Sequence, residues 1–471
     1  MSAMWAIREA KNMKLGDARR NIRAAKILET MAESPTASIP HANDSWANTK
    51  ATYRFVETTD FDAQDILEGH YRATQKRIID AGEDVIITSD GMDISLPSLK
   101  ETSGLGPLSK TFTRGIKTHN TLVFNKEFIP LGLIDIKYWV RDPKDHGRAK
   151  SRKTKKIEEK ETFAWIEALR KTEIILPKNI GYTFLGDGSA DIYDVFAEPR
   201  RSNSELLIHL IQNRNIKSAE EQSEEKFFDA LDNVKSLGLV TINLPRTHKK
   251  AARQATLEIR VKTVEIKPPV SRKKENLPTI QVTAILAREI RKDKLKTTNK
   301  KTCKSELIVW RLLTSSVITT LEEAIARINL YTKRWLIERY HYILKEGCGI
   351  EKLQMESADN LQRATALYSI VAWRLMYITY AARNDPDAPC TIILSKNEWQ
   401  SLWCYVNKKQ HPPDSPPTIK AVVLLLAKLG GFLARKGDGE PGAKVIWRGL
   451  MALEHITEMF TIFKGKNVGN G

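Results

Sequence analysis

One short stretch of the chain carries side chains suited to phosphate chemistry. In LYTKRWLIERYHYILKEG (330–347), Glu338 has Arg334 four positions before it, Tyr331 seven before and Lys345 seven after. In a continuous α-helix these four residues fall on one narrow stripe. A carboxylate flanked by cations and a phenol hydroxyl is what metal-assisted phosphodiester chemistry needs. The alternative is a solvated helix face with an ordinary Arg–Glu pair, which contributes roughly 0.2–0.5 kcal/mol.

Two aspartates follow short apolar segments in an earlier part of the chain. DVIITSD ends in Asp90 and GYTFLGD ends in Asp187, and each segment reads as a strand. In an α/β sheet, sites form at the carboxyl ends of strands. A lone Asp after a strand is more often a turn former or helix cap, but here both strands end in the same way. Together with Glu338, the two aspartates offer oxygen ligands that suit two Mg²⁺ ions, or Mn²⁺ as a substitute.

The elements around these aspartates predict an α/β core. Three strands are followed by a helix, a strand, a helix and a strand, in DVIITSD, THNTLVFNK, PLGLIDIKYWV, TFAWIEALRKT, GYTFLGD, GSADIYDVFAE and SELLIHLIQN. Residues 215–316 then alternate apolar and polar side chains, as an antiparallel sheet with one wet face does. The loops of this region are RTHKKAARQ, PVSRKKEN and RKDKLKTTNKKTCK. They suit clamping of a DNA backbone, or they are simply solvated loops.

Helices are predicted at both ends of the chain. LGDARRNIRAAKILETMAES has Asp17 as its N-cap and projects Arg19, Arg20 and Arg23, and Arg54 lies on a second helical segment, SWANTKATYRFVET. These arginines suit contacts to DNA phosphates in a small helical domain. The alternative is a helical hairpin that its charges merely solvate. Near the other end, AVVLLLAKLGGFLARK and VIWRGLMALEHITEMFTIF indicate a separate helical domain without a catalytic constellation.

The composition narrows the class of partner. Lys and Arg number 75 against 57 Asp and Glu, which gives a net charge of +18 over 471 residues. A chain this basic suits a polyanion, and nucleic acid is favoured over an anionic membrane surface. The aliphatic run Ala421–Ala427 is too short to span a bilayer, and MSAMWAIREAKNMK has no apolar signal-peptide core. Four cysteines without ligand-like spacing indicate reduced thiols in a cytoplasmic protein and no structural zinc.

Several motifs together carry a family resemblance. Tyr331-x-x-Arg334-x-x-x-Glu338-x6-Lys345 matches the YREK signature of bacterial DDE transposases in the transposon-five (insertion-sequence-four) group. LGDARR, ATYRF, SDGMDISL, GLIDIKYWVRD, DGSADIY, WRLLTS and LGGF also resemble this group, in the same order. The resemblance implies an RNase H-like core within residues 63–370, with a β-rich insertion at about 215–316. It also implies an all-α DNA-binding domain at 1–62 and an all-α dimerisation domain at 371–471.

The resemblance assigns three metal ligands. Asp90, Asp187 and Glu338 look like the DDE acids, although the sequence departs from the family around each of them. The first acid usually sits in Asp-Thr-Thr, but Gly-Met follows Asp90 and Asp93 is a rival ligand. The second block usually reads Asp-Arg-Glu, but Gly-Ser follows Asp187, and Leu336 replaces a basic residue before the glutamate. Asp90 is preferred to Asp93 because it directly follows the apolar strand.

The resemblance also assigns contacts to DNA. Tyr331, Arg334 and Lys345 would hold phosphates of the terminal nucleotides. Trp310 resembles the aromatic residue that stacks on a flipped base, which contributes about 1–3 kcal/mol, or it is an ordinary strand tryptophan. Arg23 and Arg54 match basic residues that contact transposon-end DNA.

The expected activity is cut-and-paste DNA transposition in the bacterial cytoplasm, on the nucleoid when bound to DNA. By family likeness, a homodimer synapses two transposon ends, cleaves them through a hairpin intermediate and joins the 3′ ends to target DNA. One alternative is an RNase H-like endonuclease that does not transfer strands. The other is a catalytically inactive DNA-binding inhibitor of transposition.

Overall fold

The computed structural model describes residues 4–35, 37–108, 113–145, 155–218, 224–244, 253–290, 307–384, 386–435 and 437–466. The helices are α1 (Met4–Ala10), α2 (Ala18–Glu33), α3 (Ile39–Ala42), α4 (Trp46–Glu57), α5 (Ala63–Ala81), α6 (Phe163–Ile175), α7 (Tyr193–Ala197), α8 (Phe227–Asn233), α9 (Leu321–Tyr331), α10 (Leu336–Tyr342), α11 (Ala358–Asn384), α12 (Lys396–Asn407), α13 (Ile419–Leu429) and α14 (Ala443–Lys466). The strands are β1 (Val85–Ser95), β2 (Gly106–Pro107), β3 (Arg114–Phe124), β4 (Pro130–Trp139), β5 (Tyr182–Gly186), β6 (Ser204–His209), β7 (Asn215–Ser218), β8 (Glu224–Lys226), β9 (Ser236–Leu244), β10 (Arg253–Ile266), β11 (Ile280–Ile290) and β12 (Val309–Thr314). None of the described helices is long and apolar enough to cross a membrane.

The central part of the chain is built on a mixed sheet. Antiparallel β4, β3 and β1 lie side by side, and β5 and β6 continue the sheet parallel to β1. This order agrees with the predicted α/β pattern and fits the RNase H-like fold that the resemblance implies. A short turn at Asn125–Ile129 joins β3 to β4, and in it the Phe128 amide donates to the Asn125 carbonyl.

The first strand is longer than its apolar pattern predicted. β1 continues past Asp90 to Ser95 and stays paired with β3 over Ile86–Ser95 without a bulge. The prediction that Asp90 ends the strand was therefore wrong, because the strand continues with alternating burial at Met92 and Ile94 while its pairing with β3 is kept. The parallel pairing with β5 stops at Thr88, so Asp90 still lies just beyond the parallel part of the sheet.

The β-rich insertion extends the same sheet. β12 pairs antiparallel with the last core strand β6, and β11, β10, β7 and β8 follow in order, with β9 also pairing β10. The predicted antiparallel insertion is thus confirmed. Of its basic loops, 269–276 contains a short 3₁₀ helix, while 246–252 and 291–304 lie outside the described residues.

The segment 330–347 is not one continuous α-helix. α9 ends at Tyr331, a 3₁₀ turn covers Thr332–Trp335, and a π turn covers Ile343–Gly347 after α10. The Cys348 amide donates to the carbonyl of Ile343 (2.8 Å), which is the i→i+5 bond of a π turn. Both turns change the angle per residue, so the prediction of a single regular stripe was wrong.

The terminal helices pack directly on the core. α5 lies against β4, and side chains of α1 and α2 belong to the same hydrophobic cluster as the core strands. α11 is buried among them, and near its C-terminal end a second cluster begins that contains α12, α13 and α14. The expected domain boundary at residue 370 lies inside α11.

A buried ionic cluster ties α1 to the core. Glu9 accepts hydrogen bonds from His70 (2.6 Å) and from Arg77 (2.7 Å), and Arg77 stacks 4.1 Å above the ring of Trp373 on α11. Burial opposes ionisation of Glu9, yet Arg77 and His70 hold the pKa of its carboxyl below the ordinary value. The ionised carboxylate therefore anchors the first helix.

We expect Glu9→Ala to lower the free energy of unfolding by about 3–5 kcal/mol, because it leaves the buried His70 ring and the half-buried Arg77 guanidinium without their shared acceptor. Urea denaturation measures this change. The control is Asp80→Ala, which breaks an exposed pair with Lys76 and costs less than about 1 kcal/mol. Equal losses in the two variants would mean that the buried cluster does not anchor α1.

Candidate active site

Arg334 links two of the three predicted acids. Its Nη1 lies 3.3 Å from Oδ2 of Asp90, and its Nη2 lies 2.5 Å from Oε1 of Glu338. Asp90 comes from β1 and Glu338 from α10, which packs against that strand. The side chains of Asp90 and Arg334 are each 18% exposed, whereas that of Glu338 is 55% exposed. Asp90 and Arg334 are thus largely shielded from solvent, whereas Glu338 is exposed.

Asp187 interacts electrostatically with Asp90. Burial, followed by the negative charge of Asp187, raises the pKa of Asp90 to about 6, and Glu338 adds to the rise. Arg334 and the Gly91 amide oppose it. Asp187 and Glu338 are therefore both close enough to Asp90 to disfavour its ionised form.

Asp93 lies elsewhere. Side chains alternate along β1, so Asp90 and Asp93, three residues apart in a strand without a bulge, face opposite sides of the sheet. Asp93 forms an ion pair with Lys117 of the neighbouring strand. Arg334, by contrast, contacts Asp90. This geometry favours Asp90 as the acid of the site.

Asp187 directly follows β5, as the sequence predicted. It caps a 3₁₀ turn, and its Oδ1 accepts hydrogen bonds from the backbone amide (2.7 Å) and the hydroxyl (2.6 Å) of Ser189. Tyr331 approaches the same corner, since its hydroxyl donates to the carbonyl of Gly186 (3.3 Å). Burial raises the pKa of Tyr331, so its hydroxyl remains a proton donor at neutral pH.

Lys345 is not brought to the acids. Its Nζ lies 3.0 Å from Oε1 of Glu351, which also accepts a hydrogen bond from the Ser95 amide (2.8 Å). The π turn after α10 places Lys345 near the far end of β1. Tyr331, Arg334 and Glu338 thus meet at the site, and the lysine lies beside it.

Sequence reasoning missed the side chains that support these residues. His209 ends β6, and its ring centroid lies 6.2 Å from that of Tyr331. Burial lowers the pKa of His209, against the attraction of Asp187. Asn120, paired with Asp90 across β1 and β3, donates to Nε2 of His341 on α10 (2.9 Å). The end of β6 could have been found by the same strand-end argument that found Asp187.

The carboxylates fit a hard cation by type, because oxygen donors suit Mg²⁺ and Mn²⁺, and a bound cation would relieve the repulsion that raises the pKa of Asp90. Among the described residues, however, no group of three His, Cys, Asp or Glu side chains stands ready to hold a metal ion. Arg334 lies between two of the acids instead.

Three family models match successive parts of the chain. Residues 2–60 match the model described as "Transposase DNA-binding", 241–374 match "Transposase DDE domain", and 370–462 match "Transposase Tn5 dimerisation domain". The chain belongs to the Tn5-type DDE transposases. The DDE match marks this transposase as a DNA-processing enzyme of a class that generally uses divalent metal ions, and it includes Glu338 but neither aspartate. The other two matches indicate DNA and a second copy of the chain as partners.

A solved structure titled "Cryo-EM structure of piggyBac transposase synaptic complex with hairpin DNA" is also similar. It is 8% identical, with a TM-score of 0.35, over 96% of this chain and 73% of that chain.

The predicted DNA-contacting arginines differ in solvent exposure and in their ion pairs. In the matched DNA-binding region of the transposase, Arg19 and Arg54 are exposed and Arg23 is half-buried, whereas Arg20 forms an ion pair with Asp60. Arg19 also pairs with its own N-cap, Asp17, which is confirmed as the cap of α2.

Trp310 is half-buried in β12 and pairs with Ala287. Leu312, two residues further along β12, pairs with His209. Directly paired residues and alternate residues of a strand share a face, so Trp310 lies on the same sheet face as His209. The transposase thus presents an indole on the face that also carries the histidine beside Tyr331.

The repulsion at Asp90 predicts a stability change in the metal-free transposase. Asp90→Asn should raise the free energy of unfolding at pH 7 by about 1–3 kcal/mol, because it removes a carboxylate whose pKa of about 6 lies above the ordinary value. The penalty in the wild type is fully present above pH 6 and disappears as the carboxyl protonates, so the gain should shrink as pH falls from 6 to 4. Denaturation across this range measures it, and a gain independent of pH would contradict the mechanism.

Proposed function

We propose that this protein is a cut-and-paste transposase whose metal ligands are Asp90, Asp187 and Glu338. The observation that carries the proposal is the meeting of Asp90 and Glu338 at one arginine while Asp187 raises the pKa of Asp90. Asp187 and Glu338, which come from two other elements, both lie close enough to the largely buried Asp90 to raise its pKa. Such an arrangement supports a site for divalent cations better than a solvated helix face.

The proposed chemistry proceeds by four in-line displacements. Water attacks a phosphate at the transposon end, and the bond to the 3′ oxygen breaks. The freed 3′-hydroxyl then attacks the opposite strand, which forms a hairpin and releases the flanking DNA. Water opens the hairpin, and the 3′-hydroxyl finally attacks target DNA. Mg²⁺ or Mn²⁺ held by the three acids would activate the attacking oxygen and stabilise the leaving one.

The neighbours of the acids would orient the DNA. The Tyr331 hydroxyl and the Arg334 guanidinium donate hydrogen bonds at the site and suit terminal phosphates. Lys345 would exchange Glu351 for a phosphate beside them. Trp310 would stack on a base displaced at the cleavage point. Arg19, Arg23 and Arg54 would contact end DNA, whereas the Arg20–Asp60 pair suits a structural role in α2 better.

A homodimer would hold two ends together, with the region matched as a dimerisation domain as the contact between copies. In a bacterial cell, a chain of net charge +18 that binds DNA would associate with the nucleoid. For this division of function we propose limits of 1–62, 63–370 and 371–471, although the last limit lies inside α11.

We expect Asp187→Ala or Glu338→Ala to lower Mg²⁺-dependent cleavage of end DNA by at least about 10³-fold, because each removes a ligand for ions that contribute several kcal/mol. Binding of end DNA in a gel-shift assay should change little. Glu346→Gln is the matched control, since Glu346 is an exposed acid in the adjacent π turn. Undiminished cleavage by both site variants would refute the assignment.

The same cleavage assay separates transposition from simple cutting. A transposase of this kind should give a covalently closed hairpin that migrates as a double-length strand under denaturing conditions. An endonuclease without strand transfer would give nicked or linear products only. An inactive inhibitor would bind the end DNA and leave it intact.

Arg334 generates a separate prediction about the DNA-free protein. Its guanidinium pairs with two of the proposed ligands, so Arg334→Ala should tighten Mn²⁺ binding without DNA by about 3- to 10-fold, that is by up to about 1.4 kcal/mol. Cleavage of end DNA should fall in the same variant, because a phosphate contact is lost. The loss of free Mn²⁺ signal in electron paramagnetic resonance measures the binding.

The control is Arg339→Ala, which removes an exposed guanidinium that stacks on Trp335 instead of pairing with an acid. Its Mn²⁺ affinity should stay that of the wild type. Weaker Mn²⁺ binding in Arg334→Ala would mean that the arginine organises the ligands rather than occupying their site.

A further inference from the structure

Ser189 holds one oxygen of Asp187. The serine's backbone amide and hydroxyl both lie within hydrogen-bond distance of Oδ1 of the aspartate, at 2.7 and 2.6 Å. Bonds to an ionised carboxylate are shorter and stronger than those between neutral groups. The two bonds fix the direction of the carboxylate and leave Oδ2 outside this pair of contacts.

Trp165 on α6 determines the direction of the serine hydroxyl. The indole Nε1 lies 3.0 Å from Oγ of Ser189. An indole N–H can only donate, so the hydroxyl oxygen accepts this bond. The single hydroxyl proton is then available for Asp187, and the indole therefore enforces the bond from serine to aspartate.

The indole itself has little room to move. Trp165 is 2% exposed and makes edge-to-face contacts with His119 (ring centroids 4.7 Å apart) and Phe184 (6.2 Å). A Cβ at Gly186 would lie 3.3 Å from the indole and 2.8 Å from the Cβ of Ala190, so the missing side chain lets the turn close on the ring. This packing therefore fixes the direction of the indole N–H.

We infer that Trp165 and Ser189 form a positioning relay that fixes the carboxylate of Asp187 for cation binding. The relay rests on the proposed function, because it gives Asp187 a task only if that residue is a metal ligand. It also assigns a function to Ser189 in the Gly-Ser that follows Asp187. Neither Trp165 nor Ser189 touches the reacting atoms, so both are positioning residues.

The test is Mn²⁺ binding to the full-length, DNA-free protein, measured by electron paramagnetic resonance. Ser189→Ala and Trp165→Phe should each weaken binding by about 10- to 100-fold, the usual effect of removing a hydrogen bond behind a metal ligand. Trp165→Phe keeps a ring in the core but removes the N–H donor. Ser189→Thr keeps the hydroxyl and should restore binding to within about 3-fold of the wild type. Ile166→Val, a buried change on the same helix, is the control for general core damage and should bind as the wild type does.

A double variant separates a relay from two independent defects. Trp165→Phe should add no further loss in the Ser189→Ala background, since the indole acts through the hydroxyl. Additive losses would overturn the relay, and so would wild-type affinity in both single variants while Asp187→Asn abolishes binding. If Asp187→Asn itself binds Mn²⁺ and cleaves DNA as the wild type does, the proposed function fails instead.

Discussion

The burial of Asp90 beside two other acids is the constraint on which the candidate site depends. Asp90, Asp187 and Glu338 come from a strand, the end of a neighbouring strand and a helix, and burial and the charge of Asp187 together raise the pKa of Asp90 to about 6. A protein that keeps such groups together must hold each of them by contacts that do not depend on the others. In the DNA-free protein, Arg334 offsets part of the repulsion by pairing with two of them.

Hydrogen bonds that position the acids come from both faces of the sheet. On one face, Asn120 of β3 bonds to His341, which fixes α10 and with it Glu338 beside β1. On the other face, Trp165 of α6 reaches Ser189 at the end of β5. Burial lowers the pKa of His341 to about 3, so the histidine stays neutral and adds no charge to the site. Neutral hydrogen-bonding groups thus orient the charged ones.

The sequence predicted the order of strands and helices better than where these elements end or change geometry. The strand–helix order, the antiparallel insertion and Asp187 at a strand end followed from apolar patterns, because those patterns report burial directly. The continuation of β1 past Asp90 was missed, because the continuous apolar run changes there to an alternation in which Met92 and Ile94 are buried between polar residues. The 3₁₀ and π turns around Glu338 also escaped, because periodicity assumes a constant angle per residue. Ser189 and Trp165 were invisible as a pair, since 24 residues and a strand separate them.

α11 has a consequence for how the molecule can be divided. This helix is buried among the core strands and the N-terminal helices over most of its length, and its last turns belong to the second cluster with α12 and α13. A shortened chain that ends at residue 370 would therefore lack the second half of a buried helix. The surfaces that pack against Val371, Trp373 and Met376 would then be exposed to solvent. The C-terminal region and the core share the continuous helix α11, so they should unfold together rather than as independent domains.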